Sequence, residues 1–126
     1  MRGMAAAQIT ESAISELVRR FYGKARLDPV IGPVFEAAVE DWDHHFDQLD
    51  AFWSSVVLAT GRYQGRPMRA HMRLPLEPPM FERWLELWSE TAGEVFEPEA
   101  AEVFRAKARN IARSLSLGLF FRPDAA

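Results

Sequence analysis

Apolar residues recur at intervals of three and four along four long segments of the chain, and this spacing constrains the fold more than any other feature. Such spacing places the apolar side chains on one face of an α-helix. No segment alternates apolar and polar residues between turn signals, so the sequence predicts an all-α fold with essentially no sheet. The four stripes are Ile14, Leu17, Val18, Phe21, Tyr22 and Ala25; Trp42, His45, Leu49, Phe52, Trp53, Val56, Val57 and Thr60; Phe81, Trp84, Leu85, Trp88, Ala92 and Val95; and Val103, Phe104, Ala108, Ile111, Leu115 and Leu119.

Local signals mark where these helices begin and end. Thr10 and Asp41 stand before the first and second stripes, where a short polar side chain caps free backbone N–H groups. Gly61 follows the second stripe and is the expected stop of that helix. Pro98 suits the first turn of the last helix, where its missing N–H costs nothing.

The segment from Arg62 to Pro79 interrupts this pattern. It carries one glycine and four prolines and leaves room only for a short helix around Met68 to Met72. Four amphipathic helices can form an ordinary bundle, but an interruption of this length is long for a bundle connection. It also holds His71, which has no obvious partner nearby in sequence. We therefore expect this segment to have a function.

Composition limits the classes of protein that fit. The 126 residues suit a single domain, 1–126, and we expect 1–9 and 121–126 to be poorly ordered tails. No apolar run is long enough to span a membrane, and Met1 to Gln8 lacks the apolar stretch of a signal peptide, which predicts a cytoplasmic protein with no membrane contact. The formal net charge of −3, without a basic stripe, argues against nucleic acid as a partner.

The chain has no cysteine, so any metal site must use histidine, carboxylate or tyrosine. Zinc is disfavoured, because two of the three histidines are adjacent and no HExxH pattern occurs. A di-iron site would need Glu-x-x-His motifs, which are absent. Haem needs one axial histidine, an apolar slot and basic groups for two propionates. His71 meets the first need, and the arginines around it meet the last unless they belong to a solvated loop: Arg62, Arg66, Arg69 and Arg73.

Two further polar residues lie on apolar stripes. His45 shares a helix face with Leu49 and Phe52, whereas His44 points about 100° away. The ring of Tyr22 should be buried while its hydroxyl needs a polar partner. Taken singly, each of these residues is more often a hydrogen-bonded core residue than a ligand contact.

Taken in order, the residues match a family pattern. Over Ile14 to Ser114 the order and spacing of these motifs resemble the group III truncated haemoglobins, and the glycine pairs of the other two truncated groups are missing. The matching pieces are Phe21-Tyr22 with Arg26 and Asp28; Gly32-Pro33 and Phe35; Asp41-Trp42 and His45; Phe52-Trp53; Tyr63-x-Gly65-x-Pro67 leading to His71; and Phe81-x-x-Trp84-Leu85.

The resemblance implies a shortened globin fold, a two-over-two helical sandwich around haem b. His71 would be the proximal ligand of the iron. Tyr22 and Trp84 would donate hydrogen bonds to a ligand of the iron, with His45 as distal histidine and Leu49 one turn further on; a shift of one residue would bring in His44 instead. The residues expected to contact haem are Phe35, Phe52, Arg69 and Arg73.

The function implied is reversible binding of dioxygen or another diatomic gas such as nitric oxide or carbon monoxide, in detoxification or redox chemistry with a reductase as partner. Enzymatic activity stays open as an alternative, of the peroxidase or nitric oxide dioxygenase type. A third hypothesis is a helical interaction module without cofactor, whose arginine-rich segment binds an acidic partner.

Overall fold

The computed structural model describes residues 9–72 and 74–120, and within them the prediction of an all-α fold is confirmed. The six helices are α1 Glu11–Ala25, α2 Gly32–Ala38, α3 Trp42–Leu58, α4 Pro67–His71, α5 Pro78–Val95 and α6 Pro98–Phe120. Apart from Ile9, the predicted tails 1–9 and 121–126 lie outside the described residues. That 1–126 form one domain stays a prediction.

The predicted helix starts are present. The side chain of Thr10 accepts a hydrogen bond from the backbone N–H of Ala13 at 3.1 Å, and that of Asp41 accepts one from the N–H of His44 at 3.2 Å. Each bond satisfies a donor that the first helical turn leaves free. Helix α6 begins at Pro98 as expected.

The end of α3 differs from the prediction that Gly61 stops it. The helix ends at Leu58, and Ala59 adopts the left-handed conformation with φ of 58°. Ser55 stabilises this unusual conformation from two sides: its carbonyl accepts from the N–H of Ala59, and its hydroxyl accepts from the N–H of Tyr63. Gly61 also has a positive φ, of 74°, but it lies in the loop after the helix and does not end the helix.

The long helices form two pairs, α1 with α3 and α5 with α6. Helix α1 also packs on α5, and α3 on α6, so that the pairs lie one over the other. Buried aromatic rings fill the interface: Phe21 from α1, Trp53 from α3, Trp88 from α5 and Phe104 from α6. The short helix α4, within the interruption from Arg62 to Pro79, packs on α6 and carries His71 at its end.

The turn between α1 and α2 is tied to α5 by one buried carboxylate. Asp28 is 7% exposed and accepts hydrogen bonds from the N–H groups of Val30 and Ile31 at 3.0 and 3.2 Å. Its other oxygen accepts from Nε of Arg83 at 2.7 Å. Burial pushes the pKa of Asp28 upward, but these hydrogen bonds outweigh it and the pKa lies below its ordinary value.

No helix among the described residues is long and apolar enough to cross a membrane.

Candidate functional site

A cavity of about 220 Å³ lies between the helix pairs, with residues from all six helices in its wall. Most of the wall is aliphatic or aromatic. Seven of the nine residues predicted for the site line this single cavity: Tyr22, Phe35, His45, Leu49, Phe52, His71 and Trp84. These residues come from five different helices, so the fold brings together side chains that are far apart in sequence.

His71 enters the cavity wall from the end of α4. Its Nδ1 lies 2.6 Å from the carbonyl oxygen of Pro67, one helical turn earlier. Since a carbonyl oxygen can only accept, Nδ1 carries the proton and Nε2 keeps a free lone pair. A backbone carbonyl bonded to the far nitrogen is the usual way in which a metal-binding histidine is oriented.

Tyr22 faces the cavity from α1 and is 5% exposed. Its hydroxyl lies 3.4 Å from Nε2 of His45, and its ring meets that of Phe35 edge to face at 5.0 Å between centroids. Burial raises the pKa of Tyr22 well above its ordinary value, because a phenolate would lose its hydration there. The side chain is therefore a neutral phenol with a proton to donate.

His45 lies in the wall and is partly buried, while the adjacent His44 is exposed and does not line the cavity. Burial lowers the pKa of His45, and the nearby imidazoles of His44 and His71 lower it further. At neutral pH the ring is therefore uncharged. An uncharged imidazole has one donor and one acceptor nitrogen. The tautomer with its hydrogen on Nε2 donates to the hydroxyl oxygen of Tyr22 and leaves the phenol hydrogen free, whereas the other tautomer accepts that hydrogen.

Three tryptophans form a stack along the cavity wall. Trp84 lies nearly parallel to Trp88, with 5.8 Å between ring centroids, and Trp88 stacks on Trp53 at 4.5 Å. The sequence places Trp53 and Trp88 on apolar stripes without a predicted role in the site, but both also line the cavity. Tyr63, whose ring meets Phe52 edge to face at 5.2 Å, is another wall residue that spacing alone did not single out.

One of the two predicted arginines is outside the wall, and the other is not described. Arg69 is exposed on α4, two residues before His71, and it does not line the cavity. Arg73 lies outside the described residues. Among those residues no cluster of three or more histidine, aspartate or glutamate side chains exists that could hold a metal ion. One free imidazole nitrogen in an apolar cavity instead fits haem, whose macrocycle supplies four nitrogen ligands and needs apolar walls on its faces.

Two helix pairs around a histidine-bearing apolar cavity define a truncated globin. A crystal structure of the group III truncated hemoglobin from Campylobacter jejuni superposes with a TM-score of 0.85 and 32% sequence identity, covering 90% of this chain and 94% of that one. The chain is also 35% identical over 109 residues to Group 3 truncated hemoglobin ctb from Campylobacter jejuni subsp. jejuni serotype O:2, covering 82% of this chain and 86% of that protein. No family model matches the chain. The chain belongs to the group III truncated haemoglobins.

Proposed function

We propose that the cavity binds haem b and that the protein binds a diatomic gas, dioxygen or alternatively nitric oxide or carbon monoxide, with His71 as the proximal ligand. The observation that carries this proposal is the hydrogen bond from Nδ1 of His71 to the carbonyl of Pro67, which leaves Nε2 free in an apolar wall. Haem of the b type is favoured because the chain has no cysteine to attach the macrocycle covalently. When bound, haem iron supplies an open coordination position for a small diatomic molecule.

The distal side of the proposed site consists of neutral donors. The phenol of Tyr22 and the indole of Trp84 each offer one hydrogen to a polar ligand. His45, uncharged and 3.4 Å from the hydroxyl of Tyr22, orients that hydroxyl when its Nε2–H donates to the phenol oxygen, which leaves the phenol hydrogen for the ligand. Such donors favour a ligand that gathers negative charge, and they slow its release. Dioxygen is the diatomic ligand that best fits two neutral donors.

The remaining side chains would hold the macrocycle. Phe35, Phe52 and Leu49 offer apolar surface in the wall, where burial stabilises a flat hydrophobic group. Arg69 is exposed beside His71 and suits a propionate that stays at the surface, and Arg73 is proposed for the second propionate. Truncation of either arginine should weaken haem binding less than loss of His71.

A visible absorption spectrum tests the proposal directly. The purified protein reconstituted with hemin should show a haem band that changes on reduction and again on addition of carbon monoxide, and His71→Ala should lose most of its haem. His44→Ala, which removes an exposed histidine, is the matched control and should bind haem normally. A protein that stays colourless after reconstitution would instead support a cofactor-free interaction module, and a normal spectrum in His71→Ala would remove the axial role of His71.

The pair of Tyr22 and His45 favours a second candidate, peroxidase-like activity. An uncharged, partly buried imidazole next to a phenol is able to take up and return a proton, which peroxide chemistry needs. Peroxide turnover that falls in His45→Gln while gas binding is retained would support this activity. Continuous nitric oxide dioxygenation would in addition need an external reductant, for which a reductase is the proposed partner.

A further inference from the structure

Trp42, the first residue of α3, packs against both Tyr22 and His45 without lining the cavity. Its ring meets that of His45 edge to face, with 5.5 Å between centroids, and that of Tyr22 at 5.4 Å. The rings of Tyr22 and His45 also meet edge to face, at 5.4 Å. The three rings therefore form one cluster, in which each ring contacts the other two.

A cation covers one face of Trp42. The guanidinium carbon of Arg26 lies 4.1 Å from the centroid of the Trp42 ring, where the negative charge of the π-system attracts it. Nε of Arg26 donates to a carboxylate oxygen of Glu36 at 2.7 Å, and this bond orients the guanidinium. Arg26 directly follows α1, Glu36 belongs to α2 and Trp42 begins α3. The contact therefore joins three helices at the start of the helix that carries His45.

The hydrogen bond of the His45 ring is too long to fix the ring by itself. The 3.4 Å between Nε2 and the hydroxyl of Tyr22 exceeds the usual length of an N–H···O bond. The side chain of His45 is also only partly buried, so water competes for its nitrogens. Trp42 lies three positions before His45, a spacing that makes the two side chains neighbours on one helix face. Its edge contact therefore restricts the orientation of the imidazole.

We propose that Trp42 and Arg26 are positioning residues, which hold the ring of His45 against the phenol oxygen of Tyr22 and so direct the phenol hydrogen toward a ligand in the cavity. Neither Trp42 nor Arg26 lines the cavity, so both act through His45 and not on the ligand itself. The inference rests on the proposed gas-binding function. It connects an ion pair at the surface to the hydrogen bond offered to the gas.

The carbon–oxygen stretching band of the carbon monoxide complex tests this role, because its wavenumber reports the hydrogen bonds made to the bound ligand. In the holoprotein, Trp42→Leu should move the band to higher wavenumber or split it, since the phenol hydrogen loses its fixed direction. The same substitution in a His45→Leu background should cause no further shift, because the residue through which Trp42 acts is then absent. A shift of equal size in both backgrounds would overturn the proposal.

Arg26→Gln makes the same test from the surface, where no folding defect is expected because Arg26 is exposed. It removes the charge over Trp42 and should move the band in the same direction by a smaller amount. Arg19→Gln is the matched control, since Arg19 covers the neighbouring ring of Phe46, at 4.9 Å, instead of Trp42. It should leave the band in place. A shift in Arg19→Gln as large as that in Arg26→Gln would contradict the inference.

Nuclear magnetic resonance follows the imidazole directly. In the carbon monoxide complex, the ring protons of His45 should show nuclear Overhauser contacts with the indole of Trp42, and their chemical shifts should move in Arg26→Gln but not in Arg19→Gln. Identical His45 shifts in wild type and both variants speak against the inference. Failure of the proposed function is distinguishable, because a protein without a haem band overturns both proposals. A normal haem band with unchanged stretching bands in Trp42→Leu and Arg26→Gln overturns only this one.

Discussion

The hydroxyl of Tyr22 and Nε2 of His45 lie 3.4 Å apart, although 23 positions separate the two residues in the chain. Tyr22 comes from α1 and His45 from α3, so the packing of these two helices brings the groups together. Burial keeps both side chains uncharged at neutral pH. The pair therefore presents movable protons to the cavity without placing a fixed charge there.

Removing a donor from the distal side should speed the release of dioxygen. A neutral hydrogen bond contributes about 1 kcal/mol, so Tyr22→Phe or Trp84→Phe should raise the dissociation rate by about fivefold each. Stopped-flow replacement of dioxygen by carbon monoxide measures this rate. Tyr63→Phe is the matched control, because it removes a hydroxyl from another tyrosine of the wall and should leave the rate close to that of the wild type. Unchanged rates in both Tyr22→Phe and Trp84→Phe would exclude these residues from contact with the ligand.

Because the pKa of His45 is lowered, the rate of dioxygen release should depend on pH only in the acid range. An exposed histidine titrates near pH 6.5. Burial, aided by His44 and His71, holds His45 neutral to lower pH, so the dioxygen dissociation rate should be constant from pH 8 to about 6.5 and change only below that. The change should disappear in His45→Gln and persist in His44→Gln, whose side chain is exposed. A midpoint at or above the ordinary histidine value would contradict this assignment.

Much of the fold follows from the sequence because helix periodicity and capping are local properties. The capping roles of Thr10 and Asp41 depend on residues within one turn, and both are observed. The end of α3 was predicted wrongly, because the conformation of Ala59 depends on bonds between Ser55 and the following loop. A sequence pattern does not show which backbone group of a loop forms a hydrogen bond back to the helix.

The residues of the candidate site likewise divide into those that the sequence predicts and those that it does not. Stripe membership and family resemblance indicate Tyr22, His45 and His71, and all three lie in one cavity wall. The indole N–H of Trp88, which has no acceptor among the described residues, escapes such reasoning because its surroundings come from several helices. The haem contact of Arg69 stays a prediction: the side chain is exposed, and sequence proximity to His71 does not fix which way a long side chain extends.

Substitution by alanine at Gly23, near the end of α1, and at Gly32, at the start of α2, should change the free energy of unfolding in opposite directions. A Cβ at Gly32 would lie 2.6 Å from the carbonyl oxygen of Arg26 and 3.0 Å from that of Ala25, so Gly32→Ala should lower the free energy of unfolding by about 1–3 kcal/mol. A Cβ at Gly23 meets nothing within 4 Å inside α1, so Gly23→Ala should raise it by about 0.5–1 kcal/mol. Guanidinium unfolding of both variants measures the difference. Equal stability of the two would refute the close approach of α2 to the end of α1.

The contact of Asp28 with Arg83 should stabilise the protein only while the carboxylate is ionised. Because the pKa of Asp28 is lowered on folding, its stabilisation is present above the unfolded value of about 3.9 and is lost as pH falls through the folded value. Asp28→Asn should therefore lower the free energy of unfolding by about 1–3 kcal/mol at pH 7, and the difference should shrink below about pH 4.

The exposed pair of Arg26 and Glu36, also 2.7 Å apart, provides the control for that measurement. Glu36→Gln removes a comparable ion pair that water already screens, so its effect at pH 7 should stay below about 1 kcal/mol. The comparison requires urea unfolding of wild type and both variants between pH 3 and 7. A loss in Asp28→Asn that is as small as in Glu36→Gln, or that does not decline in acid, would show that the buried carboxylate does not hold the turn between α1 and α2 against α5.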